Sequence, residues 1–231
     1  MRENWVSYEN YTHYIDESTQ ILEESRSDIA AGNIAPERIA DVQRYNYSNE
    51  IRVFIARYSR GDDIAPLIPE YKRLVFELHK YFTHEWYEEM LRLLSIGIML
   101  EIEDACIFEL AGLLKREGID NWIFNFLLHS RDASISYENS SFTVYPDFYQ
   151  SLRELVNSSP AEQPKLLKAY LSKWYPAMKT ASWYNSHKNK WIIHYGYWSF
   201  ESGAIAKLLS LNDSGFQSVK YYPYDLVHYA D

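Results

Sequence analysis

Seven histidines and 32 acidic side chains among 231 residues make metal-assisted chemistry the first to test. A di-iron bundle needs a Glu and a His one turn apart on an inward helix face, and no Glu-x-x-His pair occurs. His79 and His84 stand five apart and diverge around a helix. His84-Glu85 lacks the second His of a metallopeptidase helix. Asp225-x-x-His228 lies in a tail that need not be helical, and reads as a satisfied surface histidine. Neither a metal ion nor another cofactor is expected. Nucleophilic chemistry has no better footing. The single cysteine, Cys106, follows Glu103 and Asp104 in an apolar run, and negative neighbours raise a thiol pKa. No Gly-x-Ser-x-Gly elbow occurs, and the eight glycines form no phosphate-binding loop. The acidic pairs Glu23-Glu24, Glu88-Glu89 and Glu103-Asp104 make no convergent dyad, because adjacent helical residues point about 100° apart. No catalytic residue is expected.

The elements that would position these groups read as helices throughout. Tyr8, Tyr11, Ile15, Ser18, Leu22, Ser25 and Ile29 form one stripe of an amphipathic helix over 2–31, with Glu9, Asp16, Glu17, Glu23 and Glu24 opposite. Pro36 opens a second helix that runs to Arg60-Gly61, where Asp62 and Asp63 stand ready to cap the next element. A third begins near residue 69. Apolar runs over 85–100 and on to Gly118 complete the first half. Further helices are predicted at 122–128, 147–157, 161–174 and 199–209, with Asn212 just past the last one. Tyr175-Pro176 breaks the chain. Residues 130–146, rich in Ser and Asn, read as a long loop, either a subdomain border or a binding loop. Strand alternation is absent. The expected architecture is all-α, a multi-helix array with an N-terminal portion over residues 1–117 and a C-terminal portion over residues 118–231, packed as one unit.

Charge limits the partners. The net charge of −9 repels nucleic acid and attracts a basic protein. Residues 1–30 hold seven acids and two bases, a net of −5. The only aromatic-basic stretch, Trp183 to Trp198 around Lys188, Lys190 and His194, reads as core packing in so acidic a chain. A lone cysteine excludes an intrachain disulfide, the N-terminal residues lack the apolar core of a signal peptide, and Leu93–Leu100 is too short to span a bilayer. These features point to the reducing cytoplasm, away from membranes.

At the C-terminal end, the run from Gly196-Tyr197-Trp198-Ser199-Phe200-Glu201 to Lys207, followed by Tyr221-Tyr222-Pro223-Tyr224-Asp225-Leu226, resembles the signature of the PoNi immunity family. The opening helix and Asp120-Asn121-Trp122 fit that family's N-terminal half and joint. The resemblance implies an all-α, non-enzymatic protein that binds and blocks a PoNe-type DNase toxin of an interbacterial secretion system. It also implies that Trp198, Glu201, Tyr222, Pro223 and Asp225 determine the fold and do not face the toxin. For Glu201, near a helix N-terminus, the residue types alone allow a structural cap or a buried polar anchor for the Tyr-rich tail. Charge geometry nominates Glu9, Asp16, Glu17, Glu23, Glu24, Glu101, Glu103 and Asp104 as toxin contacts. A helical enzyme or metal-binding protein with an unrecognised site is the alternative, and self-association is left open.

Overall fold

The computed structural model describes residues 1–83 and 85–230, so the readings that involve His84 lie outside the described residues. It is all-α. Ten α-helices and three short 3-10 turns account for the regular structure, with no strand among the described residues. Contacts group the chain into two compact units, each assembled from separate segments.

The first unit combines Met1–Thr83 with Ala181–Tyr197. Helices α1 (Tyr8–Ala30) and α2 (Pro36–Arg60) form a hairpin along their length, because five residues between long helices force the second back along the first. Helix α1 begins at Tyr8, later than its periodicity suggests. Ser7 caps it by accepting from Asn10 N–H at 3.2 Å, and before it the Arg2 and Glu3 N–H groups both reach the Ser59 carbonyl. Tyr11, Tyr14, Ile15, Ser18 and Leu22 are its buried face. Tyr8 belongs to the predicted stripe but is exposed, under the guanidinium of Arg60. Helix α2 starts on Pro36 and ends where Gly61 turns left-handed at φ 107°, its N–H reaching the carbonyls of Arg57 and Tyr58. Asp62 caps nothing downstream. It turns back to Arg57 at 3.2 Å and Arg60 at 2.8 Å. Helix α3 (Ile68–Glu77) packs on α2, where the buried Tyr47 phenol donates to the Leu74 carbonyl. The segment 181–197 is bound into this unit, the Tyr195 carbonyl accepting from Ser59 Oγ at 2.9 Å.

The second unit comprises the described residues of 85–180 and 198–230. Helix α4 (Tyr87–Met99) is buried at every position from Leu93 to Met99 and packs mainly against α9 (Phe200–Leu208), itself buried from Phe200 to Ala206. Gly203 permits that approach. A Cβ there would sit 2.6 Å from both Met99 Sδ and Pro223 Cγ. Helices α5 (Asp104–Arg116), α6 (Trp122–His129) and α10 (Tyr224–Val227) surround the pair, and α7 (Pro146–Val156) with α8 (Gln163–Ala177) makes a second hairpin. Helix α8 passes the predicted break and contains Pro176 in its last turn. A proline that close to the end removes a single helical hydrogen bond, and Met178 N–H then closes the helix on Trp174 and Tyr175. The end of α9 is marked by Ser210 at φ 48°, not by Asn212.

The Ser- and Asn-rich stretch between α6 and α7 lies inside this unit and is tied down. Trp122 N–H donates to Ser141 O at 2.8 Å, Asn121 Nδ2 to Thr143 at 3.0 Å, and Arg153 to the Ser140 carbonyl. Trp122 and Phe126 stack beneath it, with their ring centres 5.3 Å apart.

Candidate functional site

Among the described residues no helix is long and apolar enough to cross a membrane, and no group of three or more His, Cys, Asp or Glu is placed to hold a metal ion. Cys106 is buried, its thiol 3.8 Å from Glu103.

The five nominated acids of α1, Glu9, Asp16, Glu17, Glu23 and Glu24, are all exposed. At about 100° per residue they share an arc of roughly 120° that faces away from the buried stripe. Glu9, in the first turn, is held below the usual carboxylate range by backbone and Ser7 hydrogen bonds. Glu24 accepts from Gln20 at 2.7 Å. The other three, Glu101, Glu103 and Asp104, are exposed in the second unit at the α4–α5 turn. Two already hold cations: Glu101 pairs with Lys207 at 3.1 Å and Asp104 with Arg131 at 3.1 Å.

The resemblance residues of the second unit lie mostly in its interior. Glu201 is buried, and its Oε1 accepts three hydrogen bonds: Tyr170 Oη at 2.6 Å, Ser199 Oγ at 2.7 Å and Trp174 Nε1 at 2.8 Å. Burial pushes its carboxyl above the ordinary value against the pull of those donors. Of the two readings the residue types allowed, the buried anchor is the observed one, and it organises α8 more directly than the tail. The tail attaches elsewhere: Tyr222 Oη donates to Asp213 at 2.6 Å, Pro223 packs on Gly203, and Ser199 N–H reaches Tyr221 O at 2.9 Å. Trp198 is buried beside Phe200, while Asp225 is exposed in the first turn of α10. His228 pairs with Asp213 at 3.0 Å.

A second buried carboxylate, in the first unit, is invisible to any motif. Glu3 is 8% exposed and accepts from the Tyr11 phenol, from Tyr197 N–H at 3.0 Å and from His194 Nε2 at 3.0 Å. The far nitrogen of His194 lies 2.9 Å from Ser186 Oγ. Carboxylate, imidazole and hydroxyl thus follow one another as in a nucleophile-activating triad. The array is mostly enclosed, and its Ser186 end borders an open groove. Ser186 is 6% exposed and also lies within 3.1 Å of the Tyr197 phenol, which in turn bonds His187. No sequence signal finds it, since Glu3 and His194 are 191 residues apart.

The first unit also carries an open groove of about 560 Å3 between α1, α2 and the 181–197 segment. Its lining includes Ile21, Tyr45, Trp191 and Ile193, half of the eight large apolar side chains exposed among the described residues. Trp191 is 73% exposed and Ile193 43%, which corrects the expectation that this aromatic stretch packs inside. Trp183, Tyr195, Tyr197 and Trp198 do pack inside. Between the two exposed residues, Ile192 adopts φ 52°, a left-handed conformation that costs an L-residue on the order of 1–2 kcal/mol and is rare for a β-branched one. Glu17 and Arg52 also line the groove, and Arg52 Nε is buried without a hydrogen-bond partner.

Closed polar clusters inside and an apolar, charge-edged groove outside define an all-α protein whose distinguishing chemistry is on its surface. Residues 2–112 match the N-terminal PoNe immunity protein (PoNi) family, and residues 119–226 match the C-terminal one. The chain belongs to the PoNe immunity proteins. No curated protein and no solved structure matches it.

Proposed function

We propose that this protein binds a cognate PoNe-like DNase toxin of an interbacterial secretion system in the cytoplasm and neutralises it by occlusion, without turnover of its own. The observation that carries this reading is the pair of PoNi family matches spanning both halves of the chain. The exposed acids support it. A nuclease must hold phosphate and is commonly basic, so an arc carrying Glu9, Asp16, Glu17, Glu23 and Glu24 speeds its approach, with Glu101, Glu103 and Asp104 as a second patch. The trapped positions of Glu3 and Glu201 support a role without catalysis.

The resemblance to this family implies a toxin gene beside this one, and the test is co-expression of the two. The toxin alone should kill the host, and this chain should restore growth and co-purify with it. Association should slow steeply with salt, because the screening length falls from about 10 Å at 0.1 M to about 3 Å at 1 M. An on-rate indifferent to salt would remove the acidic arc from the interface. Continued killing would remove the immunity reading.

A further inference from the structure

We infer that the groove lined by Trp191, Ile193, Tyr45 and Ile21 is the point where the toxin is gripped, and that it takes a segment carrying one aliphatic or aromatic side chain flanked by lysine or arginine. This rests on the immunity reading and deepens it.

The apolar half of the argument is burial. Four of the eight large apolar side chains exposed among the described residues meet in one concavity, and Trp and Tyr are the residue types that dominate binding when they fill or form such a pocket. Trp191 does not arrive there by default. The backbone holds Ile192 left-handed at φ 52° while leaving the residues on either side, Trp191 and Ile193, exposed. Strain of this kind persists only where the surrounding structure enforces it, and it concentrates at binding sites.

The charge half fixes the partner's chemistry. Helix α1 forms one wall through His13, Glu17 and Ile21. With about 100° per residue, Glu24 falls on the same arc as these three, and Asp16 and Glu23 follow on the next. The helix holds six acids against one base. On the other sides the groove is basic, with Arg52 in its lining and Lys190 over the Trp191 ring at 4.8 Å. An apolar anchor seated against Trp191 and Ile193 therefore places over carboxylates only the neighbouring side chains that lie toward α1, where a Lys or Arg is favoured and an Asp or Glu repelled.

The experiment uses the full chain and a catalytically inactive form of the toxin encoded beside it, with affinity read by biolayer interferometry. Trp191→Ala and the double variant Trp191→Ala/Ile193→Ser should each weaken binding by 30-fold or more, chiefly through faster dissociation, on the scale of about 2 kcal/mol for a hot spot at about 1.4 kcal/mol per tenfold. Because both side chains are exposed, thermal melting should be unchanged. Phe76→Ala, at an exposed apolar residue of α3 outside the groove and both acidic patches, is the control and should stay within twofold. Glu17→Lys/Glu24→Lys should weaken binding at low salt and less at high salt. Wild-type affinity in the Trp191 variants overturns the groove while leaving the immunity reading intact. Tighter binding by the Glu17→Lys/Glu24→Lys variant overturns the basic segment. A wild-type chain that ignores the toxin overturns both readings.

Discussion

Removing the carboxylate of Glu201 should unfold the second unit under conditions the wild type survives. The perturbation is Glu201→Ala, and its cost follows from what the oxygen holds. Tyr170, Trp174 and Ser199 are buried and all donate to Oε1, so the alanine variant leaves three interior donors without an acceptor. Each buried donor left unpaired costs about 1–3 kcal/mol, and partial relaxation or entry of water brings the sum to roughly 3–6 kcal/mol. That is a large share of the ~5–15 kcal/mol that holds a domain together. Glu201→Gln keeps an acceptor oxygen for the same donors and should lose about 1–2 kcal/mol at low pH. The pH dependence has a definite sign. Burial raises the folded pKa above the ordinary 4.5, so the protonated form is the one the fold favours. This contribution is complete below about 4.5 and is lost as pH rises through the raised value. Wild type should therefore lose stability relative to Glu201→Gln between pH 4 and neutrality. Urea titrations followed by circular dichroism at several pH values measure both quantities. An alanine variant that melts with the wild type would refute the anchor. A wild-type to glutamine difference that is flat with pH would refute the burial argument.

The other perturbations divide structure from function in the same way. Glu3→Ala strands the Tyr11 phenol, His194 and Tyr197 N–H and should cost about 3–5 kcal/mol in a chemical melt. Ser186→Ala touches the same network at its far end and should lower stability by only about 1 kcal/mol while leaving toxin neutralisation at the wild-type level. Loss of protection with binding intact would instead assign the triad-like array a chemical role. Gly203→Ala forces a methyl group against Met99 and Pro223 and should destabilise by about 1–3 kcal/mol, read as a fall in melting temperature.

The helices were legible because their signal is repeated. Each turn of α1 or α2 restates the same apolar face, α4 shows as an apolar run from Leu93 to Met99, and Pro36 and Gly61 mark where α2 begins and ends. The misplaced ends have local causes. Periodicity does not reveal that Ser7 caps α1, and Pro176 is tolerated because it sits in a last turn with little left to break. The candidate site was legible only in its charge. Glu17 and Glu24 could be placed on a solvent face from spacing alone. Trp191-Ile192-Ile193 could not, since composition assigns such a run to a core, and its exposure depends on a left-handed isoleucine that local preference argues against. The Glu3–His194 pair depends on the whole fold of its unit, which brings together residues 191 apart in the chain.

That division of labour bears on how a protein of this family can change partner without losing its fold. Trp198, Glu201, Tyr222 and Pro223 are held by close contacts and buried hydrogen bonds, so an alteration there acts through stability before it acts on any surface. Tyr45, Trp191 and Ile193 are exposed and carry little of the core, and a substitution among them leaves the interior as it was. The strained turn at Ile192 is set by backbone geometry, and it continues to present whatever side chains flank it. A groove built in this way can be re-lined at its mouth for a different toxin at almost no cost in folding, whereas the buried carboxylates permit no such latitude.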